Sequence, residues 1–85
     1  MNLAYALTQQ GRGSEAVQEL QELLRQHPKD ARAHNNLGTL FMGQGKFKDG
    51  AFHYREAVKL QPNYKNARIN LEVALKNLQK ETRMQ

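Results

Sequence analysis

The sequence predicts an all-α protein of stacked antiparallel helix hairpins, and three observations predict it. First, the chain repeats itself at a stride of 34 residues: Asn2, Asn36 and Asn70 share one phase, as do Leu3, Leu37 and Leu71, Glu22 and Glu56, and Pro28 and Pro62. A fixed stride of this size means modules that each cover the apolar face of the next. Second, apolar residues recur three and four apart, as in Leu3, Ala6, Leu7 and in Val17, Leu20, Leu23, Leu24, which sets them on one side of a helix. Third, breakers punctuate the runs at matching places, with Gly11-Arg12-Gly13 and Gly43-Gln44-Gly45 inside the units and Pro28 and Pro62 closing them.

Five helices follow, over residues 2–10, 14–27, 31–43, 47–60 and 64–82. Ser14, Asp30 and Asn63 precede helical runs and are expected to cap them by accepting a bond from an unpaired amide. The connections are so short that consecutive helices must lie antiparallel. Ala4 with Ala16, and Gly38 with Gly50, put small residues on both helices of a hairpin, where bulk would hold the backbones apart. Phe41, Phe47, Tyr54 and Leu60 supply the bulk between hairpins, and Ala67, Leu71, Ala74, Leu75 and Leu78 make the inward stripe of the last helix. That helix runs into the polar segment Lys80-Glu81-Thr82-Arg83, a lid suited to the open end of a stack.

At 85 residues the chain suffices for a single domain, and without cysteine neither a disulfide nor a thiolate metal site can staple it. No run approaches the roughly 20 apolar residues of a membrane helix, and Met1 leads directly into Asn2-Leu3-Ala4-Tyr5 without a basic leader. The chain is therefore expected to be soluble, and cytoplasmic by default. Its net charge of +5 biases association toward acidic partners.

The segment 31–64 resembles the tetratricopeptide repeat: Leu37-Gly38, Phe41, Gly50, Tyr54, Ala57 and Pro62 fall at that family's spacing of L-G, Y, A, F, A and P, with His34 where Trp is common. Residues 1–30 resemble a preceding repeat lacking its first four positions, and 65–85 a capping helix, so the resemblance covers residues 1–85 as one domain. It implies a right-handed superhelical α-solenoid. It also implies a concave groove, lined by the first helix of each hairpin, that holds an extended peptide. The groove set would be Asn2 and Tyr5, with Met1, Thr8 and Gln9 beside them; Arg32, Asn35, Asn36, Thr39 and Met42; and Asn66, Ile69, Asn70, Val73, Lys76 and Asn77.

Asn2, Asn36 and Asn70 form a ladder whose amides can both donate to and accept from a peptide backbone without reading its side chains. The alternative is an asparagine copied by duplication, or one that bonds a neighbouring helix. Some family members clamp a terminal carboxylate with Lys, Arg and Asn; here Asn36 matches one such place while Met1, Tyr5, Asn66 and Asn70 occupy the others, so that use is not expected.

No catalytic device is expected. Ser14 is the sole serine and reads as a cap, and His27, His34 and His53 form neither an i, i+4 pair nor an H-E-x-x-H motif, so neither a metal nor another cofactor is called for. Glu15, Glu19, Glu22 and Glu56 lie scattered as on a solvated face. The expected partner is a protein or peptide, with an acidic one favoured and no small-molecule substrate or membrane insertion. Self-association through the first hairpin, which has no lid, is the structural alternative. Nucleic acid would require Lys and Arg gathered on one face, whereas Arg12, Arg25, Lys29, Lys46, Lys48, Arg55, Lys59, Lys65 and Arg68 are spread over turns and helices.

Overall fold

Residues 13–83 are described in the computed structural model, and they form four helices: α1 (Gly13–Gln26), α2 (Ala31–Gly43), α3 (Phe47–Leu60) and α4 (Lys65–Arg83). These are the last four of the five expected helices, and their ends fall within a residue of the expected ones; the helix expected over 2–10 lies outside the described residues. There is no strand among the described residues.

The helices start and stop for local reasons. Asp30 caps α2, its side chain accepting from the Ala33 amide at 3.0 Å, and its own amide donates to the His27 carbonyl in the preceding turn. α2 ends where Gln44 and Gly45 turn their amides back onto Leu40, Phe41 and Met42, and Gly45 takes φ 77°, a left-handed value that glycine adopts without steric cost. Pro28 and Pro62 both lie in turns between helices, as expected.

Two expected caps are corrected. Ser14 is a helical residue of α1, and Asn63 sits in the turn, with Tyr64 between it and α4. There the Tyr64 amide closes onto the Gln61 carbonyl at 3.0 Å and the Tyr64 carbonyl accepts from Arg68, so backbone geometry starts this helix.

Each helix packs on the next, most extensively α2 on α3, with a smaller contact between α2 and α4. Alanine dominates the seams: Ala31, Ala57 and Ala67 form one buried group beneath Val58, Leu60 and Tyr64, and Ala51, Tyr54 and Ala74 another beneath Met42, Leu71 and Leu78. Such small side chains let helix axes approach closely. Leu37 and Leu40 are the largest side chains taken entirely out of water.

The expected close approach between Gly38 and Gly50 is present. A Cβ on Gly38 would stand 2.8 Å from the Tyr54 ring and 3.0 Å from the Gly50 carbonyl oxygen, and one on Gly50 would stand 2.9 Å from Met42 and 3.1 Å from the Gly38 carbonyl oxygen.

Of the expected bulk, Phe41 and Tyr54 are buried while Phe47 and Leu60 are half-buried. Leu75, expected to face inward, is 41% exposed, and Leu23 is exposed on α1. Leu75 stands one stride after Phe41, which α3 covers; no described helix follows α4 to cover Leu75. Gln79, Lys80 and Glu81 continue α4 as exposed polar residues.

Candidate functional site

The expected groove residues lie on α2 and α4, and the structure divides them by exposure. Arg32, Asn66, Ile69, Val73 and Lys76 are exposed, Asn36, Thr39, Met42, Asn70 and Asn77 are half-buried, and Asn35 is buried at 8% exposure. Asn2 and Tyr5, with Met1, Thr8 and Gln9, lie outside the described residues.

Helical phase explains the division. At 100° per residue, Ala67, Leu71, Ala74 and Leu78 of α4 point into the core, while Asn66, Asn70, Val73 and Asn77 run along one flank. That flank is turned toward α2, because the Asn70 Nδ2 donates to the Asn35 Oδ1 at 3.1 Å. One stride earlier, Arg32, Asn36 and Thr39 hold the same phase on α2. Together these residues form a row crossing two helices. Ile69 and Lys76 sit further round, opposite the buried face of α4.

Several members are already engaged. The Thr39 hydroxyl donates to the Asn35 carbonyl at 3.2 Å and shares a hydrogen bond of 2.9 Å with the Tyr54 phenol. Burial pushes the Tyr54 phenol above its ordinary value, and the Thr39 bond pulls it part of the way back. Asn77 donates to the Val73 carbonyl at 3.1 Å. Met42 is wedged against Gly50 and the second buried group, so Met42 and Asn35 serve the contact between helices.

One signal for this was present in the repeat itself. Met1, Asn35 and Ile69 share a phase, and two of the three are apolar, although Ile69 itself is exposed on α4. The Thr39–Tyr54 bond had no such sign, because it joins residues whose proximity only the crossing of α2 and α3 creates.

On the other flank of α4, Val58, Lys65, Arg68, Ile69, Leu71 and Glu72 line an open cavity of about 470 Å³. Among the described residues no three metal-ligating side chains converge, no buried side-chain polar atom lacks a hydrogen-bond partner, and no helix is long and apolar enough to cross a membrane.

Helix hairpins joined by short turns, small residues at their crossings and a 34-residue stride define a helical-repeat protein. The chain belongs to the tetratricopeptide repeat family, whose model matches residues 1–65. It is similar to the mouse (Mus musculus) protein O-mannosyl-transferase TMTC1, at 37% identity over 51 residues, which are 60% of this chain and 5% of that protein. The chain thus spans a small fraction of that relative's length. Repeats of this family are, in general, modules for protein interaction.

Proposed function

We propose that this chain is a non-catalytic module that holds an extended segment of a partner protein along the flank shared by α2 and α4. The observation that carries the reading is the row of polar and apolar groups on that flank. Arg32, Asn66 and Val73 are exposed, and Asn36 and the Asn70 Oδ1 stay uncommitted to any side chain among the described residues. Asparagine amides supply donors and acceptors to a peptide backbone, and Val73 offers an apolar contact between them. Asn2, at the same phase but outside the described residues, is the ladder's third member by sequence.

Arg32 and the net charge of +5 favour an acidic segment by long-range attraction. Transferase chemistry belongs to the mouse relative's own name, and the 5% of that protein matched here gives no ground for carrying it over.

The test is peptide binding followed by NMR shifts, for acidic and neutral sequences, in the wild type and in Asn36→Ala with Asn66→Ala. Neither substitution removes a side-chain hydrogen bond among the described residues, and the variant is expected to keep its fold. We expect affinity to fall about tenfold or more, for two lost hydrogen-bonding groups at roughly 1 kcal/mol each. Undiminished binding by the double variant excludes the flank as the site. Arg32→Ala should lower affinity for the acidic peptide alone and weaken its dependence on salt.

A further inference from the structure

His34 and His53 meet across the α2–α3 hairpin with their Nδ1 atoms 3.1 Å apart and their rings stacked at a centroid distance of 5.4 Å. The His34 Nε2 lies 3.3 Å from the carbonyl oxygen of Pro28, in the turn between α1 and α2. These two contacts fix where the protons are. A carbonyl oxygen only accepts, so His34 carries its proton on Nε2 and presents a bare Nδ1. His53 must then carry its proton on Nδ1 and donate it to His34, which leaves the His53 Nε2 bare. A chain of two hydrogen bonds therefore ties the α1–α2 turn, α2 and α3 together, and it lasts while one of the two facing Nδ1 atoms stays bare.

Burial opposes a second proton on His53. Its ring stacks on Phe41 at 5.5 Å and meets the edge of Phe52 at 5.0 Å, and it is half-buried. The charges acting on it are His34 from α2, and Asp49 and Glu56 from its own helix. Lys46, in the turn between the two helices, stands over the Phe41 ring at 5.9 Å.

We infer that the His34–His53 pair is an acid-sensitive tie, holding the hairpin closed at neutral pH and releasing it in mildly acidic solution. Geometry supplies the mechanism. Once both rings are protonated each turns an N–H toward the other and two like charges face across 3.1 Å, so neither ring accepts and the bond between the helices is lost. Burial, and after it the neighbouring His34, lower the His53 pKa below its ordinary value of 6.5, with Asp49 and Glu56 offsetting part of the shift.

A histidine lowered on folding binds fewer protons in the native chain than in the unfolded one, so stability rises with pH across the window between the two values. The contribution is complete above about 6.5 and is lost as the pH falls from there toward the folded value. This tie is independent of the peptide-binding flank, because neither ring belongs to it.

The experiment has two arms on the full chain. Thermal unfolding between pH 7.5 and 5.5 should show the wild-type midpoint falling by about 5 °C. In His53→Phe, which keeps the stack on Phe41 and cannot titrate, most of that fall should vanish. Nitrogen-15 NMR of the wild-type rings should show His34 protonated on Nε2 and His53 on Nδ1 at neutral pH, with the His53 ring titrating below 6.5. An equal pH slope in His53→Phe overturns the inference, as does a His53 ring protonated on Nε2. Should His53→Phe fail to fold, the ring spectra of the wild type decide alone.

Discussion

The Asn70 side chain reaches back 35 positions to donate its amide to the Asn35 Oδ1 at 3.1 Å, joining the first helix of one hairpin to the helix that follows it. Asn35 is buried and Asn70 only half so. The acceptor has therefore left water and relies on this partner, since an unpaired buried carbonyl forfeits its hydration with no return.

Asn70→Ala should accordingly destabilise the chain by about 1–3 kcal/mol. In a double-mutant cycle with Asn35→Ala the two changes should couple by roughly 1 kcal/mol, because the second removes the group that the first leaves stranded. Urea unfolding of the four proteins measures this, and additivity within error would deny that the bond matters. The cycle also explains why the peptide test uses Asn66 and not Asn70: loss of Asn70 would confound binding with folding.

Gly38 and Gly50 should respond unequally to the same methyl group. Alanine gains roughly 0.5–1 kcal/mol over glycine in a helix interior, which favours both substitutions before packing is considered. At Gly50 the new atom meets the flexible end of Met42, which can rotate away, although the Gly38 carbonyl stays close. At Gly38 it meets the Tyr54 ring, held by its bond to Thr39, and the Gly50 backbone. We expect Gly50→Ala to be near neutral, Gly38→Ala to be destabilising, and Gly50→Leu to cost about 1–3 kcal/mol. A thermal midpoint of Gly50→Leu equal to that of the wild type would contradict the close crossing.

Asp30→Ala should cost about 1 kcal/mol, since its carboxylate is the side chain that caps α2, and Asp30→Asn should recover most of the loss. Thermal midpoints of the three proteins at neutral pH decide it. An Asn variant no better than Ala would point away from capping.

Tyr54→Phe should destabilise the chain by about 1 kcal/mol at neutral pH by deleting the bond to Thr39. Its phenol is raised above 10.0, so the native chain holds that proton longer than the unfolded one does. The stabilisation is whole below 10 and is lost as the pH rises from there toward the folded value. Ultraviolet titration should show a late-ionising phenol in the wild type that is missing from Tyr54→Phe.

What was legible in the sequence was whatever the repeat and the local backbone decide. The stride placed Gly38 against Gly50, the alternation of apolar residues placed α2 and α3 to the residue, and Asp30 caps because a carboxylate three residues before an amide needs nothing from elsewhere. Ser14 and Asn63 looked equivalent, yet Ser14 lies within α1 and the α3–α4 turn closes through Tyr64, a choice made by backbone bonding that residue type does not report. Leu75 kept the inward pattern of its helix but has no described neighbour above it. Asn35 and Thr39 were expected to face the groove and His34 to stand in a common Trp place, and their bonds go to Asn70, Tyr54 and His53, partners 15 to 35 positions away that only helix crossing brings near.

α4 runs for 19 residues beside an α3 of 14, so it projects past its antiparallel neighbour by about 7 Å at 1.5 Å per residue. Gln79, Lys80 and Glu81 sit on that stub with water around them. A dye or tether attached there would swing with the helix axis while leaving every seam untouched, turning the stub into a pointer from which the tilt of the hairpins can be read.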